Sequence, residues 1–420
     1  MSTFVKSISN RGFEISFVLF LVLVPFSKLF WLPVLFMFAL GVGDFFKRLR
    51  LGRLSNKEKA YFASFLLFWV PALISTPGAY DVGRAIKFCI VYFAFFITGY
   101  YVLNRVSIER LKSILIPLTI VVFVWVFTAT LQVISSGRFF GESVGGRYQG
   151  LFGYNMIMGY TLVPLIGLLV YGWAEKSKKI ACSLFLLMLW GVLISGNRAA
   201  WVSLAVLFVF LTAIYFFRGG SVKSIRLRFA VPFVLVALSF CMYIVEYTDT
   251  GNRLKHTFAF INNPSFENVN TSSAGRVEIW NTALLMAQDN MWTGVGARSF
   301  RYAYPDYAPN SEFVTGAFEG SGFELQGPMY VHQMVLQVFV DTGVSGLAGI
   351  LLFYFLVHIW VFNKVNNSSL MAAGFFASYL AMIFPFNTHL NLYGNFFGVY
   401  FWLLTAVFIC LVFDRNRGRS

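Results

Sequence analysis

The sequence predicts an all-α integral membrane protein, one polytopic domain over residues 1–420, with about 12 transmembrane helices and one long exterior loop carrying amphipathic helices. Three observations lead there. The first is composition: 58% hydrophobic residues, 12% charged and 50 Phe, with a mean hydropathy of +0.70. A soluble domain carries roughly twice that charged fraction, and no water-soluble globule hides so much apolar surface. The second is a series of apolar runs of span length, and the third is the placing of Lys and Arg between them.

The runs fall near 13–27, 29–46, 60–76, 84–103, 111–133, 153–174, 180–196, 199–217, 229–247, 340–362, 369–386 and 394–413. Lys6 and Arg11 precede the first run and no small-residue cleavage site follows, so it reads as a retained span. Basic clusters then fall at every second joint: Lys47 to Lys59; Arg105, Arg110 and Lys112; Lys176, Lys178 and Lys179; Arg218 to Arg228; Lys364; and Arg415, Arg417 and Arg419. That alternation predicts both termini on the cytoplasmic side. It also accounts for the net charge of +15 by membrane anchoring, and argues against a nucleic-acid partner. The four cysteines, Cys89, Cys182, Cys241 and Cys410, sit inside apolar runs with no ligand spacing, so neither a disulfide framework nor a metal site is signalled.

The exterior joints differ in character. Residues 247–331, between the ninth and tenth runs, carry eight acids against five bases, the reverse of the inner joints. Within them Val277, Trp280, Leu284, Ala287 and Met291 recur at steps of three and four, predicting one apolar helix face on the bundle or in the headgroup layer. Ser272 or Ser273 is available as its N-cap. Residues 299–307 are rich in Tyr and Phe, as suits an interface or a sugar-binding wall.

Five cationic or titratable residues stand out at the exterior rim. Arg198 follows Ser195-Gly196-Asn197, a joint so short that its guanidinium is either a ligand-binding group or a snorkelling anchor. Arg276 opens the amphipathic helix, where the macrodipole disfavours a cation, so a bound anion or a pair with Glu278 must compensate. Arg147 stands among glycines that let backbone approach a ligand or simply turn the chain. His332 lies where the long segment re-enters the membrane, as a base or as a structural histidine. Lys87, one turn into apolar sequence, either binds an anion or snorkels. Guanidinium forks match phosphate oxygens, and an imidazole of unperturbed pKa about 6.5 can deprotonate a sugar hydroxyl. No Asp-x-Asp, Walker lysine loop or dinucleotide glycine signature occurs, so a metal-independent reaction without cofactor is expected.

These stretches resemble the O-antigen ligase and O-antigen polymerase superfamily. The likeness rests on Ser195–Trp201, Ser273–Trp280, Trp292-Thr293-Gly294-Val295-Gly296 with Ser299-Phe300, and His332-Gln333 with Val340-Asp341-Thr342-Gly343. It covers roughly residues 145–350, and departs from the family where Gln333 replaces a common Asn. The resemblance implies a GT-C-like fold in the bacterial inner membrane. It further implies an inverting glycosyltransferase that takes glycan from undecaprenyl pyrophosphate in the periplasm and passes it to lipid A-core oligosaccharide. Arg198 and Arg276, with Arg147 and Lys87 as further candidates, would hold the donor pyrophosphate, and His332 would be the base. The alternatives are an O-antigen polymerase joining lipid-linked repeat units and a non-enzymatic transporter of lipid-linked glycan.

Overall fold

In lipid the backbone has no water to bond, so apolar runs of this length satisfy their amides internally as helices. The computed structural model describes residues 2–143, 146–219, 265, 268–270, 273, 275–315, 327–387 and 391–414. The run expected at 229–247, Cys241, the Ser272 cap and the basic tail at Arg415, Arg417 and Arg419 lie outside these residues. Every other expected run coincides with a helix: α1 (Ser2–Leu23), α2 (Trp31–Arg50), α3 (Asn56–Ile74), α4 (Val82–Arg105), the short α5 (Ile108–Ser113), α6 (Leu115–Ile134), α7 (Met158–Ala174), α8 (Lys178–Ile194) and α9 (Arg198–Phe217). After the long segment, which holds α10 (Arg276–Asp289) and α11 (Phe300–Tyr307), come α12 (Met334–Lys364), α13 (Leu370–Met382) and α14 (Asn395–Phe413).

Among the described residues six helical stretches are long and apolar enough to cross a membrane, the α1–α2 pair counting as one, and α7 and α13 are shorter apolar helices. The protein is thus a multi-pass helical membrane protein. Its lipid-facing signature is apolar exposure on the outside: Ile90, Val209 and Phe355 are largely exposed while Phe96, Trp402 and Tyr379 are fully buried. The bundle centres on α14, buried from Gly398 to Val412, which packs against α3 and α4.

The joints sort to two ends. At one end Arg48 meets Asp44 at 3.3 Å and Glu58 at 3.4 Å, Arg110 meets Glu14 at 3.6 Å, and Lys112 meets Glu175 at 2.7 Å. Arg218 Nη1 donates there to the carbonyls of Val365 and Ser368, both at 3.0 Å. The Arg48–Asp44 pair is partly exposed and contributes at most about 1 kcal/mol, whereas Glu58 is buried and also accepts from Tyr100 Oη at 2.6 Å.

At the other end the long segment is clipped to α12 by main-chain bonds. Gly343 takes φ 66, ψ −161 inside α12, a conformation open essentially to glycine alone. The broken helix leaves backbone groups free, and the 291–296 strip takes them: Val295 N–H donates to Val340 O (2.9 Å), Gly296 N–H to Asp341 O (3.1 Å), and Val344 N–H to Met291 O (2.8 Å). A Cβ at Gly343 would lie 2.4 Å from Trp292 O. Gly343→Ala is therefore expected to cost about 1–3 kcal/mol. A thermal melt of the purified variant checks this, and an unchanged midpoint would count against the clip.

The strip is also tied to the α3–α4 joint, through Tyr80 N–H to Val295 O (3.1 Å) and Ala297 N–H to Ser75 Oγ (3.3 Å). A small core forms beneath it from Ile279, Ala283 and Met286 of α10, Phe300 and Tyr304 of α11, and Val340 of α12. This corrects the expected apolar face of α10. Ile279, Ala283, Met286 and Ala287 are buried, whereas Leu284 and Met291 are 47% and 43% exposed. The buried stripe starts two residues after Val277 and uses small alanines that let α10 approach α12 closely. Leu284 and Leu285 remain on the outer face. The aromatic run at 299–307 likewise divides, Phe300 and Tyr304 entering the core.

Candidate active site

Four of the five residues singled out from the sequence meet at the end where the long segment lies. Arg198 is the first residue of α9, placed there by the N-cap Asn197, whose Oδ1 accepts from Ala199 N–H (3.1 Å) and Ala200 N–H (3.3 Å). Gly196 turns the chain at φ 61, and a Cβ there would meet Gly146 O at 2.8 Å and Arg147 Cγ at 3.0 Å. The absence of that Cβ lets Arg147 lie directly on the turn that presents Arg198. Gly196→Ala is accordingly expected to displace Arg147 and cut activity at least tenfold, the equivalent of about 1.4 kcal/mol. The readout is turnover per membrane-inserted protein; full turnover would show that the turn can absorb a side chain.

Two buried glutamines fix the loop that bears Arg147. Gln132, in the last turn of α6, accepts from Gln149 N–H (2.8 Å) and Gly150 N–H (2.9 Å) and donates to Gly141 O (3.0 Å). Gln149 donates to Ser195 O (2.8 Å) and accepts from Met158 N–H (3.2 Å). Removing either would leave several buried backbone groups unmet, at about 1–3 kcal/mol each. Within this frame Arg147 Nη1 contacts Met156 Sδ.

Arg276 begins α10. The N-cap is Gly275, at φ 75, rather than the serine expected, but Ser273 still serves the helix: its Oγ accepts from Val277 N–H (3.3 Å), while Asn270 Oδ1 accepts from Glu278 N–H (3.2 Å). Glu278 accepts from Ser311 Oγ at 2.5 Å. Burial lowers the Arg276 pKa to about 10; Tyr330 opposes that shift, and the charges of Arg198 and Arg147 add to it. Burial likewise lowers Arg147, against the favourable influence of Tyr160 and Tyr330. Three guanidiniums thus repel one another across α9, α10 and the α6–α7 loop, with Tyr330 among them. Burial raises the Tyr330 hydroxyl and the cations Arg276 and Arg147 pull it back.

The Tyr330 ring packs on His332, centroids 4.1 Å apart and planes at 45°, which brings the imidazole to the edge of the cluster. Trp280 Nε1 donates to Val331 O (3.0 Å) and pins the strip between the two rings to α10. His332 holds φ 59, a conformation that costs a non-glycine residue about 1–3 kcal/mol and that collects at functional sites. The next residue, Gln333, spends its amide structurally: its Oε1 accepts from Leu336 N–H as the N-cap of α12 and its Nε2 donates to Pro385 O (2.9 Å).

Lys87 is exposed on α4, and among the described residues no contact or charge coupling joins it to the three arginines. Sequence reasoning missed Tyr330, Gln132 and Gln149. A glutamine inside the apolar run of α6 was the available signal for Gln132, since an amide in lipid-depth sequence needs partners.

Residues 183–351 match the O-antigen ligase family model. The matched stretch holds Arg198, Arg276, His332 and the Gly343 clip, and leaves Arg147 and Lys87 outside. Over that stretch, less than half of the chain, the sequence is similar to the O-antigen ligase family. No curated protein matches the chain.

Proposed function

We propose that the chain is an O-antigen ligase of the bacterial inner membrane, transferring O-antigen glycan from undecaprenyl pyrophosphate to lipid A-core oligosaccharide on the periplasmic side. This reading takes about 12 spans with both termini cytoplasmic, as the alternation of basic joints favours, and so assigns the 247–331 segment and the arginine cluster to the periplasm. The observation that carries this reading is the gathering of Arg147, Arg198 and Arg276, with Tyr330 facing Arg276 and Arg147 and packed at a tilt on His332.

Guanidinium forks gathered at one end match the oxygens of a diphosphate and stay charged at any working pH. In the reaction an acceptor hydroxyl oxygen bonds the anomeric carbon from the face opposite the leaving group. The carbon–oxygen bond to phosphate breaks, and its electron pair leaves on undecaprenyl pyrophosphate, where the guanidiniums neutralise it without a metal. The hydroxyl proton passes to His332. Inversion follows from the single displacement. The choice of ligase over polymerase rests on the one dominant exterior segment between the expected ninth and tenth runs.

The test is transfer from lipid-linked polymer to purified lipid A-core, run beside lipid-linked single repeats and with chelator in both. Product on lipid A-core that survives chelator is expected. Extension of lipid-linked repeats alone would make the protein a polymerase, and loss of product with chelator would end the metal-independent scheme.

A further inference from the structure

A second group of cations stands at the same end of the bundle, on other elements. Arg84, in the first turn of α4, places its guanidinium 4.6 Å from the centroid of the Tyr302 ring, and Arg301 places its own 5.7 Å from the same ring. Arg298 lies 5.7 Å from the Phe88 ring and donates from Nη1 to Asn395 Oδ1 at 2.8 Å. It holds φ 63. Asp81 pairs with Arg84 at 3.3 Å, and the buried Asp341 faces Arg298. Lys87 adds a further positive charge one turn along α4. Among the described residues the Arg301 Nε is buried without a hydrogen-bond partner. Burial, and then repulsion by Arg84, lowers the Arg298 pKa.

A cavity of about 210 Å³ is lined by Lys28, Trp31, Asn155, Asn395 and Phe396, among others. Asn155 neighbours Met156, the contact of Arg147, and Asn395 is the partner of Arg298. Amides beside aromatic faces suit a carbohydrate, and a cationic site at the far end suits an anion carried by it.

We propose that Arg84, Arg298 and Arg301 form a second anion site that holds a phosphate group borne by the acceptor saccharide, with the Asn155–Asn395 cavity leading from it to the donor cluster. This rests on the ligase reading for the word acceptor, but the site itself is judged by binding. The same phosphate chemistry is offered by an anionic lipid headgroup, and the test separates the two.

The full chain is placed in nanodiscs of phosphatidylcholine and titrated with glucose 6-phosphate and with glucose. Glucose 6-phosphate is expected to bind and glucose to bind far more weakly. Arg84→Gln and Arg301→Gln each weaken the sugar phosphate about tenfold, the loss of one charge-assisted contact. Arg301→Lys recovers part of it, and Arg198→Gln leaves it unchanged. In transfer assays the same two variants raise the KM for a phosphorylated lipid A-core, with donor KM and kcat held, and have no effect on the KM for the dephosphorylated acceptor.

Equal weakening by Arg198→Gln, or equal KM effects on both acceptors, would overturn the second site. Failure of glucose 6-phosphate to bind, with affinity seen only for nanodiscs containing phosphatidylglycerol, would assign the cations to lipid and overturn the saccharide. Absence of transfer by the unaltered protein would count against the ligase reading, while the binding arm still decides this one.

Discussion

Replacing His332 by Ala is expected to lower glycan transfer by about 10²–10⁴-fold, the contribution of a well-placed general base, while donor binding persists. The imidazole sits against Tyr330 at 4.1 Å, beside the guanidiniums but on a separate strip, so its removal leaves the anion site assembled. The pH response has a definite sign. A protonated imidazole accepts no proton, so transfer by the unaltered protein falls as pH is lowered, and the residual rate of the variant loses that limb. Single-turnover rates across pH, beside a donor-binding isotherm, measure both. An unaltered rate in the variant would remove His332 from the chemistry; lost donor binding would make it a structural residue.

Exchanging Arg198 or Arg276 for Lys keeps the charge and removes the fork. Each charge-assisted hydrogen bond carries about 1.5–3 kcal/mol, so each variant is expected to lose roughly 10- to 100-fold in donor affinity, and full activity would reduce these residues to membrane anchors. A companion result concerns stability. The Arg276 pKa is held down to about 10, mainly by burial, which means that the folded state disfavours the charged form relative to the unfolded chain. That penalty is present throughout the neutral range and fades only as pH rises through the lowered value. Arg276→Gln is expected to lose the protection against melting that donor gives. By linkage that protection amounts to about 2.7 kcal/mol at a hundredfold excess over Kd. Melting curves with and without lipid pyrophosphate test this.

The helices were legible because lipid imposes one rule on apolar sequence, and each expected run within the described residues is a helix. Arg198 and Arg276 were legible for a related reason, since a cation at a span end or in a helix first turn stands out against that rule. The face of α10 was misread because steps of three and four allow more than one stripe on a short helix. Ala287 of the expected face is buried, but Ala283, which packs beside it, carries little hydropathy of its own. The glutamine frame around Arg147 was hidden because its partners are main-chain groups of residues 141–158 and 195, which leave no trace in side-chain type. Lys87 illustrates the converse: an unusual position in the sequence, but an exposed one in space.

The bonds that fasten the 291–296 strip to α12 and to the α3–α4 joint run from amide to carbonyl or to a single serine hydroxyl. Such fastenings draw nothing from surrounding lipid headgroups. Detergent extraction that strips the annular lipid should therefore leave the catalytic end in its native shape, and purified protein should turn over soluble donor analogues before any reconstitution.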